Sequence, residues 1–237
     1  MGTLWSIGRR SGLNSWELRE SNSVGVVILH TEIVPIAWAF GLRNLQLPGK
    51  PELRRFDPFL PVAGQPFDMA RNTGTQHFLN LGCEWVFHLD SDVVPPADAI
   101  IRLMRHNLPI VSGMYCRRSP PHAVPVMMKD GQWITNFRMG SMVEVDLVGA
   151  GCLLLRRDFL EKMPWNDEDR GRRWFSWKVD MAGRVPPGEA LSEDFSMNLL
   201  ARKNGYKIWC DTSIQCRHLG MAQAEYNSYL PAEVRVR

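Results

Sequence analysis

A chain of 237 residues is long enough for one substantial core and does not demand two domains. Its 45% hydrophobic and 22% charged residues are ordinary for a globular protein. A net charge of +3 without a dense basic stripe argues against nucleic acid as a partner, and suits a phosphate-bearing ligand equally well. The five cysteines (83, 116, 152, 210 and 216) are odd in number and form no CxxC pair. That pattern speaks against a disulfide scaffold and structural zinc and for a reducing compartment, with most of the thiols acting as small buried hydrophobes. Residues 1–20 carry Arg9, Arg10, Glu17, Arg19 and Glu20 with no apolar stretch between, which is no secretory signal. No window of about 18 apolar residues offers a membrane-spanning helix, so the expected location is cytoplasmic.

Residues 1–22 lack periodicity and read as a loosely attached arm. Residues 23–30 (SVGVVILH) form an apolar, β-branched run of the kind buried in a parallel sheet. Pro35 lies early in a predicted helix that reaches about Leu47. Residues 48–66 are rich in Pro and Gly and read as a loop with one short strand. A helix follows over 68–81, with Asp68 as cap and Gly82 as stop. Residues 84–89 (EWVFHL) are a second apolar strand, running straight into Asp90-Ser91-Asp92. Pro95-Pro96 starts a helix over 97–106, and residues 109–114 make a third strand. This strand–helix–strand alternation predicts an α/β fold.

The second half is more broken. Residues 124–128, 132–135 and 142–146 are short strand candidates, and 148–155 (VGAGCLLL) reads as one apolar strand. Residues 157–162 fit one or two helical turns, whereas 164–190 show no period. A helix over 192–204 has Ser192 as cap, Glu193 and Asp194 complementing its dipole, and Gly205 as stop. Residues 206–210 and 213–216 are expected as two closing strands before His218.

The sharpest chemical signal is HLDSDVVPP at 88–96. A buried strand delivers two carboxylates, i and i+2, at its C-terminal end, where open α/β sheets bind ligands. Adjacent carboxylates repel unless a proton or cation separates them, and hard oxygen ligands suit Mg²⁺ or Mn²⁺ completed by waters and phosphates. Asp and Ser in that order also make an ordinary solvated turn. The acidic pair Glu193-Asp194 either stabilises a helix dipole or supplies a general base. His218 is a lone histidine after a strand, and becomes a metal-ligand candidate only beside the carboxylates. Arg71 on the preceding helix has the geometry to grip a phosphate, or is a surface arginine. Gly149-Ala150-Gly151 inside an apolar run marks close approach of a ligand or another backbone. Neither GxGxxG nor GxxxxGK[ST] occurs where it would have meaning. In residues 164–177, Trp165, Trp174, Phe175 and Trp177 either form an acceptor-binding lid or pack back on the core.

With these motifs in order, the chain resembles a glycosyltransferase of the GT-A fold, family 2-like. The likeness rests on the first strand ending at His30-Thr31-Glu32, then ARN (70–72), WVFHLDSDVVPP (85–96), VSGMYCRR (111–118), VGAGCLLLRR (148–157), SEDF (192–195) and GYKIWCD…CRHLG (205–220). It covers roughly residues 23–220. The resemblance implies an open, mostly parallel sheet flanked by helices, with a nucleotide-binding half (23–118) and an acceptor-binding half (119–220), and a C-terminal tail over 221–237. It implies Asp92 as primary metal ligand, Asp90 on the metal or ribose, and His218 as third ligand. Thr31 and Glu32 would approach the nucleobase, with Arg71, Ser91, Gly149 and Ala150 near the donor. Asp194 would be the base, with Glu193 as runner-up. The cofactors implied are Mn²⁺ or Mg²⁺ and a nucleotide-sugar donor, a UDP-sugar first and a GDP-sugar second.

The acceptor hydroxyl belongs to a glycan, a lipid-linked sugar or a small molecule, and the oligomeric state, homo-oligomer included, stays open. Inverting displacement is the expected course, with retention as the alternative. A nucleotidyltransferase is disfavoured because HTEIVPIAW has no Gly-rich basic segment. A non-catalytic glycan-binding module is the remaining rival.

Overall fold

The run after Ser23 forms β1 (Val24–Leu29), buried at all six positions, and its side chains feed two different cores. Val27 and Leu29 face one and Val24, Val26 and Ile28 the other, which is why this strand reads as continuously apolar rather than alternating. The computed structural model describes residues 23–31, 33–118, 124–163, 165–166, 171–177 and 192–220, with backbone alone at 165–166 and 171–172. The expected arm (1–22), Glu32 and the tail (221–237) lie outside the described residues.

Along the chain follow α1 (Ile36–Asn44), a 3₁₀ turn (Pro51–Leu53), β2 (Phe59–Val62), α2 (Phe67–Asn80), β3 (Trp85–Asp90), β4 (Val93–Val94), α3 (Ala99–Arg105) and β5 (Ile110–Met114). The second half gives β6 (Met127–Lys129), β7 (Gln132–Trp133), β8 (Met142–Val145), β9 (Leu147–Val148), β10 (Cys152–Arg156), α4 (Arg157–Lys162), β11 (Trp165–Asn166), β12 (Gly171–Arg172), α5 (Glu193–Lys203), β13 (Ile208–Gln215) and β14 (Arg217–His218). No helix among the described residues is long and apolar enough to cross a membrane.

Seven strands form one mixed sheet in the order β2-β1-β3-β10-β5-β13-β8. β2, β1, β3, β5 and β13 point one way, while β10 and β8 run against their neighbours. Strands from both halves of the sequence therefore share one sheet. Helices α2, α4 and α5 cover one face, and α1 and α3 the other. Helix α2 sits close on β1 because Gly25 has no side chain: a Cβ there would lie 2.0–2.4 Å from the ring atoms of Phe78. All five cysteines are free and buried.

Several elements differ from the sequence reading. Helix α1 stops at Asn44 because Leu45 turns extended and buries itself, and Gln46 donates to the Ala97 carbonyl. Asp68 is inside the first turn of α2 rather than its cap, and its carboxylate pairs with Arg173 at 3.0 Å. The run 148–155 is not one strand: β9 and β10 flank a break at Gly149-Ala150-Gly151. Conversely, the two expected closing strands are one, β13, with a register shift between Asp211 and Gln215.

Asp211, Thr212 and Ser213 look like turn residues, but tertiary partners satisfy them inside the strand. Burial alone would raise the Asp211 carboxyl; hydrogen bonds from Ser213 and His106 outweigh it and hold the carboxyl below its usual range. A depressed carboxyl contributes stability above the ordinary Asp value of about 3.9 and loses it as pH falls through the lower folded value. Asp211→Asn should therefore cost about 1–3 kcal/mol at pH 7 in urea unfolding. The gap to wild type should shrink steadily below about pH 4. An unchanged gap at pH 3 would contradict this account of the bulge.

Candidate active site

The C-terminal ends of β1, β3 and β5 open on a cavity of about 790 Å³, lined by Thr31, Arg71, Asp90, Ser91, Asp92, Tyr115, Arg118, Trp177, Glu193, Asp194 and His218 among others. This is where an open α/β sheet binds ligands. Local hydrogen bonding sets the acidic turn: Ser91 donates its N–H to the Leu29 carbonyl at 2.9 Å, and Trp38 donates its indole N–H to the Asp90 carbonyl at 2.9 Å. Beyond the turn, β4 pairs with β14, setting His218 opposite Val93, and Leu219 donates to the Asp92 carbonyl at 2.7 Å. A two-residue ladder thus fixes the histidine beside the second aspartate, although 126 positions separate His218 from Asp92 by their numbering.

Arg71 is the electrostatic centre of the site. Its side chain is 4% exposed; Nη2 donates to Asp90 Oδ1 at 2.9 Å, Nε to Glu193 Oε1 at 3.1 Å, and Nη1 to the Ala150 carbonyl at 3.3 Å. Burial works against its charge, but Asp90, Glu193 and Asp194 more than restore it. Burial likewise pushes the Asp90 and Glu193 carboxyls up, and Arg71 pulls both back. Arg71 lines the cavity, yet all three guanidinium nitrogens are held by protein. Its geometry is that of a clamp joining the two acidic motifs rather than of a free phosphate grip.

His218 donates its Nδ1–H to the Cys116 carbonyl at 2.7 Å, since a carbonyl can only accept, and turns Nε2 toward Asp92 Oδ1 at 3.5 Å. With a neutral ring, two acceptors face each other there, and a proton or a cation must separate them. A histidine fixed through its other nitrogen by a carbonyl is the usual arrangement of a metal ligand. Burial would raise the Asp92 carboxyl, but the His218 hydrogen bond and the charges of His218 and Arg118 hold it below its usual range. Arg118 takes the other oxygen at 2.9 Å. No three His, Cys, Asp or Glu side chains form a ready-made metal group among the described residues. The donor set at hand is therefore one carboxylate and one imidazole, with Asp90 turned to Arg71. Such a set fits a divalent cation that draws its remaining ligands from water and substrate oxygens.

Asp194 opens α5 across the cavity. Its Oδ1 accepts from the Ser192 hydroxyl and the Phe195 N–H; among the described residues its Oδ2 accepts only a long 3.3 Å bond from the Ala150 N–H, which leaves an oxygen available to a proton. Glu193, by contrast, is 5% exposed and tied to Arg71. The Gly149–Gly151 break has a concrete cause. A Cβ on Gly149 would meet the Tyr115 hydroxyl at 2.0 Å, and the Gly151 N–H donates to that hydroxyl at 3.0 Å. The close approach expected at these glycines is thus by a tyrosine, and the peptide groups between them serve Arg71 and Asp194.

Tyr115 escaped the sequence reading as a site residue, as did Arg118 and Trp38. The only local sign was that Tyr115 and Arg118 follow the end of a buried strand. Thr31 is exposed at the cavity and its hydroxyl donates to the Ile33 carbonyl at 2.9 Å. The aromatic segment divides. Trp174 and Phe175 are core residues, fastened through Asn72 Oδ1 to both their N–H groups at 3.0 and 3.1 Å. Trp177 is 39% exposed and reaches the cavity, and the Trp165 side chain lies outside the described residues.

No protein-family model matches the chain, and no curated protein does. Among solved structures it is similar to A197 from STIV, at 15% identity and a TM-score of 0.56, covering 84% of this chain and 86% of that one. That likeness concerns the fold alone. Fainter similarities, at 10% identity and a TM-score of 0.40, link it to UDP-glucose pyrophosphorylase without ligand and complexed with UDP-glucose. These cover 86% and 85% of this chain and 78% of each of those chains, and carry no argument about function.

Proposed function

We propose that the chain is a metal-dependent glycosyltransferase of GT-A type, moving a sugar from a nucleotide-diphosphate-sugar to an acceptor hydroxyl. The observation that carries this reading is the pairing of Asp92 and His218 at the mouth of the central strands, with Asp194 facing the same cavity. Asp92 and His218 would hold the cation, Mn²⁺ or Mg²⁺, with Asp90 anchored to Arg71 alongside. When bound, the cation supplies charge neutralisation at the leaving diphosphate.

Asp194 takes the proton of the acceptor hydroxyl. The acceptor oxygen bonds to the anomeric carbon as the bond from that carbon to the diphosphate oxygen breaks, and the electron pair leaves with the diphosphate. Thr31 and Ser91 line the donor side, with a UDP-sugar the first choice and a GDP-sugar the second. A single displacement inverts the anomeric centre; a retained product would remove Asp194 from the role of base but not the donor site.

The test is a screen of UDP-, GDP- and dTDP-sugars for slow donor hydrolysis with Mn²⁺ or Mg²⁺. Turnover of one donor, abolished by a chelator, is the expected result. If no donor is turned over or bound with either metal, a glycan-binding module becomes the better account.

A further inference from the structure

The strands order the cavity from one side to the other. Thr31 follows β1, Asp90 ends β3 and Asp92 follows it, and Ala150, which donates to Asp194, precedes β10. β5 comes next in the sheet and leads into Arg117 and Arg118. On the reading above, the donor occupies the β1 and β3 side, so the acceptor reaches Asp194 from the β5 side.

Arg117 is exposed and stacks on Trp133, its guanidinium carbon 4.9 Å from the ring centroid. Trp133 in turn packs at 6.2 Å against Phe195, the neighbour of Asp194. Arg118, next in sequence, reaches Asp92. Arg117, Trp133 and Phe195 lie beside the cavity rather than in its lining, and join it through their sequence neighbours Arg118 and Asp194. Stacking holds an arginine's plane while leaving its N–H edge open to an anion, and no carboxylate is paired with Arg117 among the described residues.

We propose that Arg117, held on Trp133, recognises an anionic group on the acceptor, a carboxylate or a phosphate carried near the hydroxyl that Asp194 deprotonates. This rests on the transferase reading for the acceptor's role, but the anion seat itself is independent of it.

The test is binding of glucuronate, glucose 6-phosphate and uncharged methyl glucoside by saturation-transfer NMR, to the wild-type chain, Arg117→Gln and Trp133→Leu. The anions should bind about ten- to a hundredfold tighter than methyl glucoside, and both variants should remove that preference. A response to one anion alone names the group; a response to both defines a general oxyanion seat. Equal binding of charged and neutral sugars, or a preference untouched in Arg117→Gln, overturns the proposal. UDP binding with Mn²⁺ is followed separately by calorimetry. An Arg117-dependent anion preference without any nucleotide binding would keep the seat and remove the transferase reading.

Discussion

Replacing Arg71 by methionine should cost the fold about 3–5 kcal/mol, because a buried cation is removed and both Asp90 and the buried Glu193 lose the partner that compensates their charge. Asp90 and Glu193 are both paired with this side chain, which is 4% exposed, and Glu193 is 7% exposed at its side chain. Thermal unfolding should show the loss as roughly 10 °C in Tm for a domain of this size. The pH dependence follows from the same contacts. Burial already raises both carboxyls, with Arg71 opposing it, so the variant's acids rise further. An acid whose folded value lies above its unfolded one is fully compatible with folding below the unfolded value, and destabilises as pH rises through the folded one. The deficit of the variant should thus be small near pH 4 and widen toward neutrality. Adding Glu193→Gln should recover part of it. A deficit that is constant with pH would mean that Arg71 acts by packing, and that the clamp does not matter.

Asp194→Asn should leave the fold and donor binding in place while reducing transfer about 10²–10⁴-fold. The substitution is isosteric, and an amide oxygen in the Oδ1 position can still accept from the Ser192 hydroxyl and the Phe195 N–H, losing only the long 3.3 Å bond from the Ala150 N–H. What it cannot do is take the proton of an incoming hydroxyl. Initial rates with the donor identified by screening, set beside calorimetric donor affinity, separate the two. Near-normal turnover would transfer the base role elsewhere, and weakened donor binding with unchanged turnover would make Asp194 a donor contact.

Local pattern carried much of the fold. β1, β3 and β5 are visible as short apolar runs because each is buried on both faces, and the helices over 67–80 and 193–203 are visible through their period and glycine stops. The acidic turn was legible for the same reason: it follows directly on a buried apolar strand. What stayed hidden depends on contacts between distant segments. Arg71 reaches Glu193 across 122 positions and Ala150 across 79. Nothing near Arg71 in sequence distinguishes a buried clamp from a surface side chain. The break at Gly149–Gly151 is set by Tyr115, just past the end of β5, and the polar bulge in β13 is sustained by His106, 105 positions away. Trp174 and Phe175 sit among charged residues in sequence but are fixed in the core by Asn72.

The most direct test of the central claim is a calorimetric titration of UDP and of GDP into the wild-type chain and Asp92→Ala, each with Mn²⁺ and again with excess chelator. Binding of one nucleotide that needs the metal and disappears in the variant is the predicted result. Binding indifferent to both the chelator and the substitution, or no binding of either nucleotide, would contradict the account of Asp92 and His218 as a metal and diphosphate site.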